Sequence, residues 1–402
     1  MTQQSTPMER AMEAHWGPDR LTAALRERIR EVIITLVEGE LAETLAAQRY
    51  ERMPGRRGYR NGREGRTITT GLGATTVELP RGRLWEGAQE VEWRSRLLPR
   101  YERRARAVDA ALVGAYLTGA NQRRIKGALA PLLRGAPLSK SAISRLVGRI
   151  TSLFAQWRTR SLADERIAYL YLDALVLRVR LAKQVVSAPV LVALGVRRDG
   201  QKVVLDLELL TSEATAAWQG LLEGVSARGL RRPRLCVIDG NPGLRAAVEM
   251  TWPGGAVQRC TVHKLRNLER HAPKHASEEI RTAYHAIVNA ETLSGARQAY
   301  RAFVSQWRTR APKVVESLEE AGEELLTFYR FPASQWKGLR STNAIERLNE
   351  EFRRRVKTQG SLPTAQAAEL LLFGLILSGQ IRMRRIDGWR DLPGAEEAPQ
   401  AA

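Results

Sequence analysis

Cysteine is scarce in this chain: 402 residues contain two, Cys236 and Cys260. That excludes a disulfide framework and fits a reducing compartment. Long apolar runs are missing as well, so no stretch approaches the roughly 20 residues needed to cross a bilayer. The apolar segment Leu370–Leu377 is too short for that and reads as a buried helix. The opening residues MTQQSTPMER lack the apolar core of a secretory signal. These absences predict a cytoplasmic protein with no membrane partner. Acidic residues are also in deficit, 43 Asp and Glu against 64 Lys and Arg, for a formal net charge of +21. An excess of this kind points to a polyanion, because Lys and Arg neutralise phosphates and release counterions. A merely basic soluble protein is the bland alternative. Apolar residues at 44% fit a folded chain rather than a disordered one.

Residues 20–50 place Leu21, Leu25, Ile29, Ile33 and Leu36 at helical spacing and predict one or two amphipathic helices. The segment 51–66, ERMPGRRGYRNGREGR, holds six arginines, four glycines and a proline. Glycine and proline argue against a helix there. It reads as a flexible basic arm offering Arg56, Arg57, Arg60, Arg63 and Arg66 to phosphates, with a solvated loop as the alternative. Six arginines on six phosphates would give binding a salt slope of about −5. A short strand is expected at Thr76–Leu79. Residues 107–150 alternate helical spacing with Gly and Pro breaks and are compatible with a helix-turn-helix, its last helix presenting Lys140 and Arg145.

From residue 166 the texture changes to strands at Ile167–Arg180, Pro189–Val196 and Lys202–Leu209. A helix (Ser212–Ala227), a strand (Leu235–Asp239), a helix (Pro242–Met250) and a strand (Ala256–Cys260) follow. Hairpin-linked strands followed by crossover-linked ones predict a mixed sheet flanked by helices. Residues 261–334 carry no strand signal, and Thr342–Val356 is again helical.

Asp173 interrupts the apolar strand YLYLDALVLRV, where a carboxylate is unfavourable unless paired or bound to metal. Asp239 ends a second strand, and Gly240 allows a sharp turn after it. Two carboxylates about 4 Å apart repel by roughly 4 kcal/mol at an effective dielectric near 20, a penalty that a cation removes. Carboxylate oxygens suit Mg²⁺. Glu346 is a third candidate, on a helix that also carries Arg347, Arg353, Arg354, Arg355 and Lys357. Glu350 and Glu351 compete with it, a simple helical ion pair is the alternative, and physics at this level does not choose.

Five segments in order now carry a resemblance: YRNGREGRTITTGLG (59–73), YLYLDALVLRVR (169–180), VIDGNPGL (237–244), QRCTVHKLRNL (258–268) and STNAIERLNEEFRRR (341–355). Together they resemble the Mutator-type family of bacterial insertion-sequence transposases, in the DDE, RNase H-like group, over roughly residues 20–385. The resemblance implies an α/β fold: an RNase H-like mixed sheet in the order β-β-β-α-β-α-β-α, interrupted by an all-helical insertion. A mainly helical DNA-binding region, residues 1–165, would precede it. The core would span 166–262 and 335–388, the insertion 263–334, and a disordered tail 389–402.

The resemblance further implies that Asp173, Asp239 and Glu346 are the catalytic and metal-holding acids, with a pair of Mg²⁺ or Mn²⁺ ions. Arg353, Arg354 and Arg355 would meet DNA. Double-stranded DNA, both element ends and target, would be the partner of a homodimer or higher oligomer on the bacterial nucleoid. Two departures stand out: Ala174 where the family usually has Gly, and Asn241 where it often has His. Cys260 and His263 match the family's Cys-x-x-His segment, to which packing or contact with a DNA end is assigned. Zinc with His271 and His275 is the alternative, weakened by Pro273 between them. Trp307 reads as a core residue, with base stacking as its alternative. Rival functions are a domesticated, non-catalytic DNA-binding protein and a nuclease or resolvase with the same metal chemistry but no strand transfer.

Overall fold

The computed structural model describes residues 20–99 except 71 and 88, 140–357 except 182 and 183, and 361–392 except 378–380 and 382. The chain divides into two units, Met1–Gly148 and Arg149–Ala402.

In the first unit a single helix, α1 (Arg20–Leu45), lies on a three-stranded antiparallel sheet of β1 (Gly58–Thr70), β2 (Gly73–Glu86) and β3 (Gln89–Glu92). Its buried face is Val37, Leu41 and Leu45, flanked by Ile33 and Ile34, and it covers Ile68, Val77 and Leu79 of the sheet. Leu21, Leu25 and Leu36 of the expected stripe are exposed. The described part of this unit thus pairs its helix with a sheet, and residues 58–66 belong to the first strand of a β-hairpin rather than to a flexible arm. Glycine misled the reading because it is needed here for close approach: a Cβ on Gly58 would stand 2.0 Å from the Arg83 carbonyl oxygen.

The arm arginines are largely occupied. Arg60 and Arg63 share the Glu38 carboxylate of α1, at 2.6 and 2.9 Å. Arg66 donates to the Leu98 carbonyl at 2.9 Å and to that of Pro99. Arg56 is half-buried and Arg57 exposed. Most of the candidate helix-turn-helix lies outside the described residues; from Lys140 onward it is a single helix, α2 (Lys140–Thr159), whose first turns include Lys140 and Arg145.

The second unit is built on a five-stranded mixed sheet in the order β6-β5-β4-β7-β8. Its strands are β4 (Ile167–Leu181), β5 (Gln184–Arg197), β6 (Lys202–Leu209), β7 (Leu235–Ile238) and β8 (Val257–Arg259). β4, β5 and β6 are antiparallel, whereas β4–β7 and β7–β8 are parallel. β4 is central, so its first half is buried on both faces, as the continuous apolar run requires. Even-numbered Leu170 and Leu172 pack under α3 (Thr215–Ala227) and α4 (Pro242–Thr251), against Trp218, Leu222 and Leu244. Odd-numbered Tyr169 and Tyr171 point the other way, their hydroxyls bonded to Gln335 and, at 2.8 Å, to the Gly338 carbonyl. β5 begins five residues before the expected start at Pro189. The Pro189 carbonyl accepts from Leu210, so the missing N–H faces the residue just past the end of β6.

Between Thr261 and Leu339 the chain is helical throughout. It forms α5 (Thr261–His271), α6 (Ser277–Val288), α7 (Leu293–Trp307) and α8 (Pro312–Ala321), followed by 3-10 and single helical turns. Trp307 is fully buried beside Phe303, a core residue without a stacking face. Glu320 of α8 holds both Arg259 and Lys264 at 2.7 Å, fastening the helices to the end of β8. The chain then returns as α9 (Asn343–Val356) and α10 (Ala365–Leu377), the latter stacking Phe373 on Phe154 and Trp157 of α2. Of the tail expected to be disordered, residues 389–391 form a 3-10 turn, with Leu392 buried just after it; the remainder lies outside the described residues. Among the described residues no helix is long and apolar enough to cross a membrane.

The Glu38 contacts set an expectation for stability. Glu38→Ala leaves the part-buried Arg60 and the exposed Arg63 without their carboxylate and should lower the stability of the first unit by about 1 kcal/mol, nearly all of it from Arg60. The measurement is the urea midpoint; an unchanged midpoint would mean that the Arg60 and Arg63 pairs contribute nothing net.

Candidate functional site

The last registered pair between the parallel strands β4 and β7 is Leu172 with Ile238. Asp173 and Asp239 are each the next residue, so two carboxylates occupy adjacent positions where β7 ends beside the middle of β4, at the carboxyl end of a parallel strand, where ligands gather in such sheets. Gly240, at φ +111°, turns the chain immediately after. Asn241 then caps α4, its Oδ1 accepting from the Gly243 and Leu244 N–H groups at 2.8 and 3.2 Å. Asp239 Oδ1 is held by the Asn241 N–H at 2.9 Å.

Asp173 follows the tyrosine face of β4, opposite α9, and is 8% exposed. Its Oδ2 accepts from the Asn349 side-chain amide at 2.8 Å. Burial, reinforced by the charge of Asp239, pushes its carboxyl up to about 6. Across from it, Glu346 lies in the first turn of α9, where the helix dipole favours a carboxylate. Glu346 Oε1 stands 3.4 Å from His263 Nε2, 3.9 Å from Arg266 Nη1 and 3.3 Å from the Thr342 hydroxyl. The Cys260 thiol, then the carboxylates of Glu346 and Asp173, raise His263 to about 9.

These residues share one cleft of about 300 Å³, lined by Asp173, Ala174, Glu213, Asp239, His263, Arg266, Glu346, Glu350 and Arg353. All three acids singled out from the sequence are therefore brought together, with His263 and Arg353 among them. Of the competitors, Glu350 also faces the cleft. Glu351 does not, being engaged by Arg354 at 2.8 Å and by Arg355. That engagement also occupies Arg354 and Arg355, whereas Arg353 stays on the rim. Cys260 is fully buried behind His263. His271 and His275 are exposed and do not line this cleft, and among the described residues no three His, Cys, Asp or Glu side chains, the three acids included, form a ready-made cage for a metal ion.

Sequence reasoning missed Glu213, Arg266 and Asn349. Glu213 sits in the loop after β6, its carboxyl raised by burial and by Asp239, and carries no sequence signal. Arg266 is one basic residue among several on α5. Asn349 was detectable: it falls on the buried stripe Ile345, Leu348, Phe352 and Val356, where a polar residue needs a partner.

Residues 2–381 match the sequence profile described as "Transposase, Mutator family". Over 351 residues the chain is 36% identical to the transposase for insertion sequence element ISRM5 of Rhizobium meliloti (strain 1021), covering 87% of this chain and 86% of that one. It is 32% identical over 380 residues to the transposase for insertion sequence element IS406 of Burkholderia multivorans, covering 94% and 95%. It is 28% identical over 344 residues to the transposase for insertion sequence element IS256 in transposon Tn4001 of Staphylococcus aureus, covering 85% and 86%.

The buried bond to Asp173 gives a second expectation. Asn349→Leu removes the amide donor from a buried carboxylate and should destabilise the second unit by about 2 kcal/mol in chemical denaturation at neutral pH. A wild-type midpoint would show that the bond adds nothing to folding.

Proposed function

This chain belongs to the Mutator family of transposases, and from that premise we propose that it cuts and joins DNA at the cleft of Asp173, Asp239 and Glu346. The DNA would be the terminal inverted repeats of an insertion sequence, and the reaction strand cleavage followed by strand transfer into target DNA. The observation that carries this reading is the in-register pair Asp173 and Asp239, facing Glu346 across a cleft rimmed by Arg266 and Arg353.

Three further features support it. The strand order β6-β5-β4-β7-β8, antiparallel on one side of β4 and parallel on the other, is the arrangement expected of an RNase H-like core. A helical segment lies between β8 and α9, where the family resemblance leads one to expect an insertion. The donor set consists of carboxylate oxygens alone, which suits Mg²⁺ or Mn²⁺. That the acids do not form a closed cage fits such ions, which keep water and bind through a few carboxylates together with substrate phosphate oxygens. Asp173, Asp239 and Glu346 would hold a pair of them. When bound, the ions would supply a nucleophilic water or 3′-hydroxyl at neutral pH and charge stabilisation on the leaving oxygen.

The residues of the chain do the rest. Asn349 holds the Asp173 carboxylate through Oδ2, and the Asn241 backbone N–H holds that of Asp239 through Oδ1. Arg266 and Arg353 meet the phosphate backbone at the rim. No side chain is required to form a covalent bond to DNA. Two ends must be joined, so a homodimer or larger assembly is part of the proposal.

The decisive experiment replaces each acid by its amide. Asp173→Asn, Asp239→Asn and Glu346→Gln should each lower metal-dependent cleavage of an end-bearing duplex by at least about 10³-fold, the scale of losing a charge-stabilising group. Binding to the same duplex should remain intact, and a variant that still cleaves removes that residue from the set. A separate expectation concerns salt. Arg353→Gln and Arg266→Gln should each make the salt slope of DNA binding shallower by about one. Arg60→Gln should leave the slope unchanged, because its guanidinium is held by Glu38; the opposite pattern would place the phosphate contacts on β1.

A further inference from the structure

Cys260 follows β8 and caps α5, and Thr342, 82 positions later, stands at the start of α9. The side chains of both residues are fully buried. Cys260 Sγ accepts the His263 backbone N–H at 3.5 Å, capping α5. The same sulfur accepts the Thr342 backbone N–H at 3.3 Å, at the start of α9, and lies 3.3 Å from the Thr342 hydroxyl. One side chain thus serves two helix N-termini, whose orphan N–H groups attract an acceptor. A thiol suits the position because its longer bond to carbon reaches both helices from one Cβ. Beside it the Thr261 N–H donates to the Arg340 carbonyl at 2.9 Å. The network then runs forward to the acid. The Thr342 hydroxyl stands 3.3 Å from His263 Nδ1 and 3.3 Å from Glu346 Oε1, and the Thr342 carbonyl accepts the Glu346 N–H at 2.9 Å.

We propose that Cys260, His263 and Thr342 form a clasp that closes the two ends of the helical insertion onto each other and fixes the Glu346 carboxylate in the cleft. The Cys-x-x-His segment is then neither a zinc site nor a thiol nucleophile but a set of positioning residues. The need for it follows from connectivity. Asp173 and Asp239 are held by neighbouring strands of one sheet, whereas Glu346 arrives after a long excursion and has no strand to fix it. A displacement of about 1 Å in such a group is enough to lose about 100-fold in rate.

The inference rests on Glu346 being a metal-holding acid, and the experiment separates the two. Full-length variants are titrated with Mn²⁺ alone by calorimetry and assayed for cleavage of an end-bearing duplex, with far-UV circular dichroism as the check on folding. Thr342→Val keeps the shape and removes the hydroxyl. It should weaken Mn²⁺ binding and lower kcat by about 10–100-fold with KM for DNA unchanged, while Thr342→Ser should stay within about threefold of wild type. Cys260→Ser, with its shorter reach, should show the same loss to a smaller degree and carries the comparison if Thr342→Val does not fold. Glu346→Gln is the control. Wild-type Mn²⁺ binding there would remove Glu346 from the metal site. Loss of binding in Glu346→Gln, with none in Thr342→Val or Cys260→Ser, would overturn the clasp alone.

Discussion

Two like charges side by side, where β7 ends against the middle of β4, are the constraint around which the second unit is arranged. Asp173 and Asp239 follow directly on the paired residues Leu172 and Ile238, so the parallel register of β4 and β7 places one carboxylate beside the other. An apolar neighbour at either position would be easier to bury. The surroundings answer this conflict in part. Asn349 donates to one aspartate and the Asn241 N–H to the other, and His263 and Arg266 bring positive charge from α5. Among the described residues neither aspartate forms an ion pair with a basic side chain: His263 and Arg266 approach Glu346 instead. The sheet, the turn at Gly240 and the placement of α9 all serve to keep this unneutralised pair at the base of an open cleft.

The third carboxylate has a different origin. It depends on the packing of a helix, and that helix is separated from the sheet by an all-helical excursion. Two sets of contacts anchor it. Asn349, one turn beyond Glu346, reaches Asp173; Thr342, one turn before it, reaches Cys260. Glu346 lies between the two fixed points, so its direction is set by a helix pinned on both sides rather than by the ion pairs it makes itself.

How much of this was legible in the sequence follows from the range of the interactions. The strands β4, β6, β7 and β8 and the helices between them are marked by local patterns, and their limits are read to within a few residues. Asp173 was conspicuous because a carboxylate in an apolar strand needs an ion-pair partner, as Asp206 of β6 has in Arg228 at 2.6 Å, or a metal, and Asn349 carried the same kind of signal on a helix. The hairpin β1–β2 was hidden because its arginines and glycines look like a solvated arm; only the Glu38 carboxylate on α1 and the close approach at Gly58 explain them. The clasp was beyond reach. Nothing near Cys260 announces that its sulfur will meet a residue 82 positions away. The choice of Glu346 over Glu351 likewise depends on which face of α9 turns inward, and on Arg354 and Arg355 claiming the other.

The electrostatics of the whole chain and of the cleft run in opposite directions, which bears on the proposed chemistry. A net charge of +21 draws a polyanion toward the protein. The cleft itself is lined by five carboxylates, Asp173, Glu213, Asp239, Glu346 and Glu350, against Arg266, Arg353 and His263. A phosphate brought in by the global field would therefore meet local repulsion at the base of the site, strongest beside the two aspartates. Divalent cations between the carboxylates and the phosphate would reverse the sign where it matters. A mainly acidic cleft in a strongly basic chain is thus what the proposed metal-dependent DNA chemistry calls for, and a surface that only gripped DNA would have little use for it.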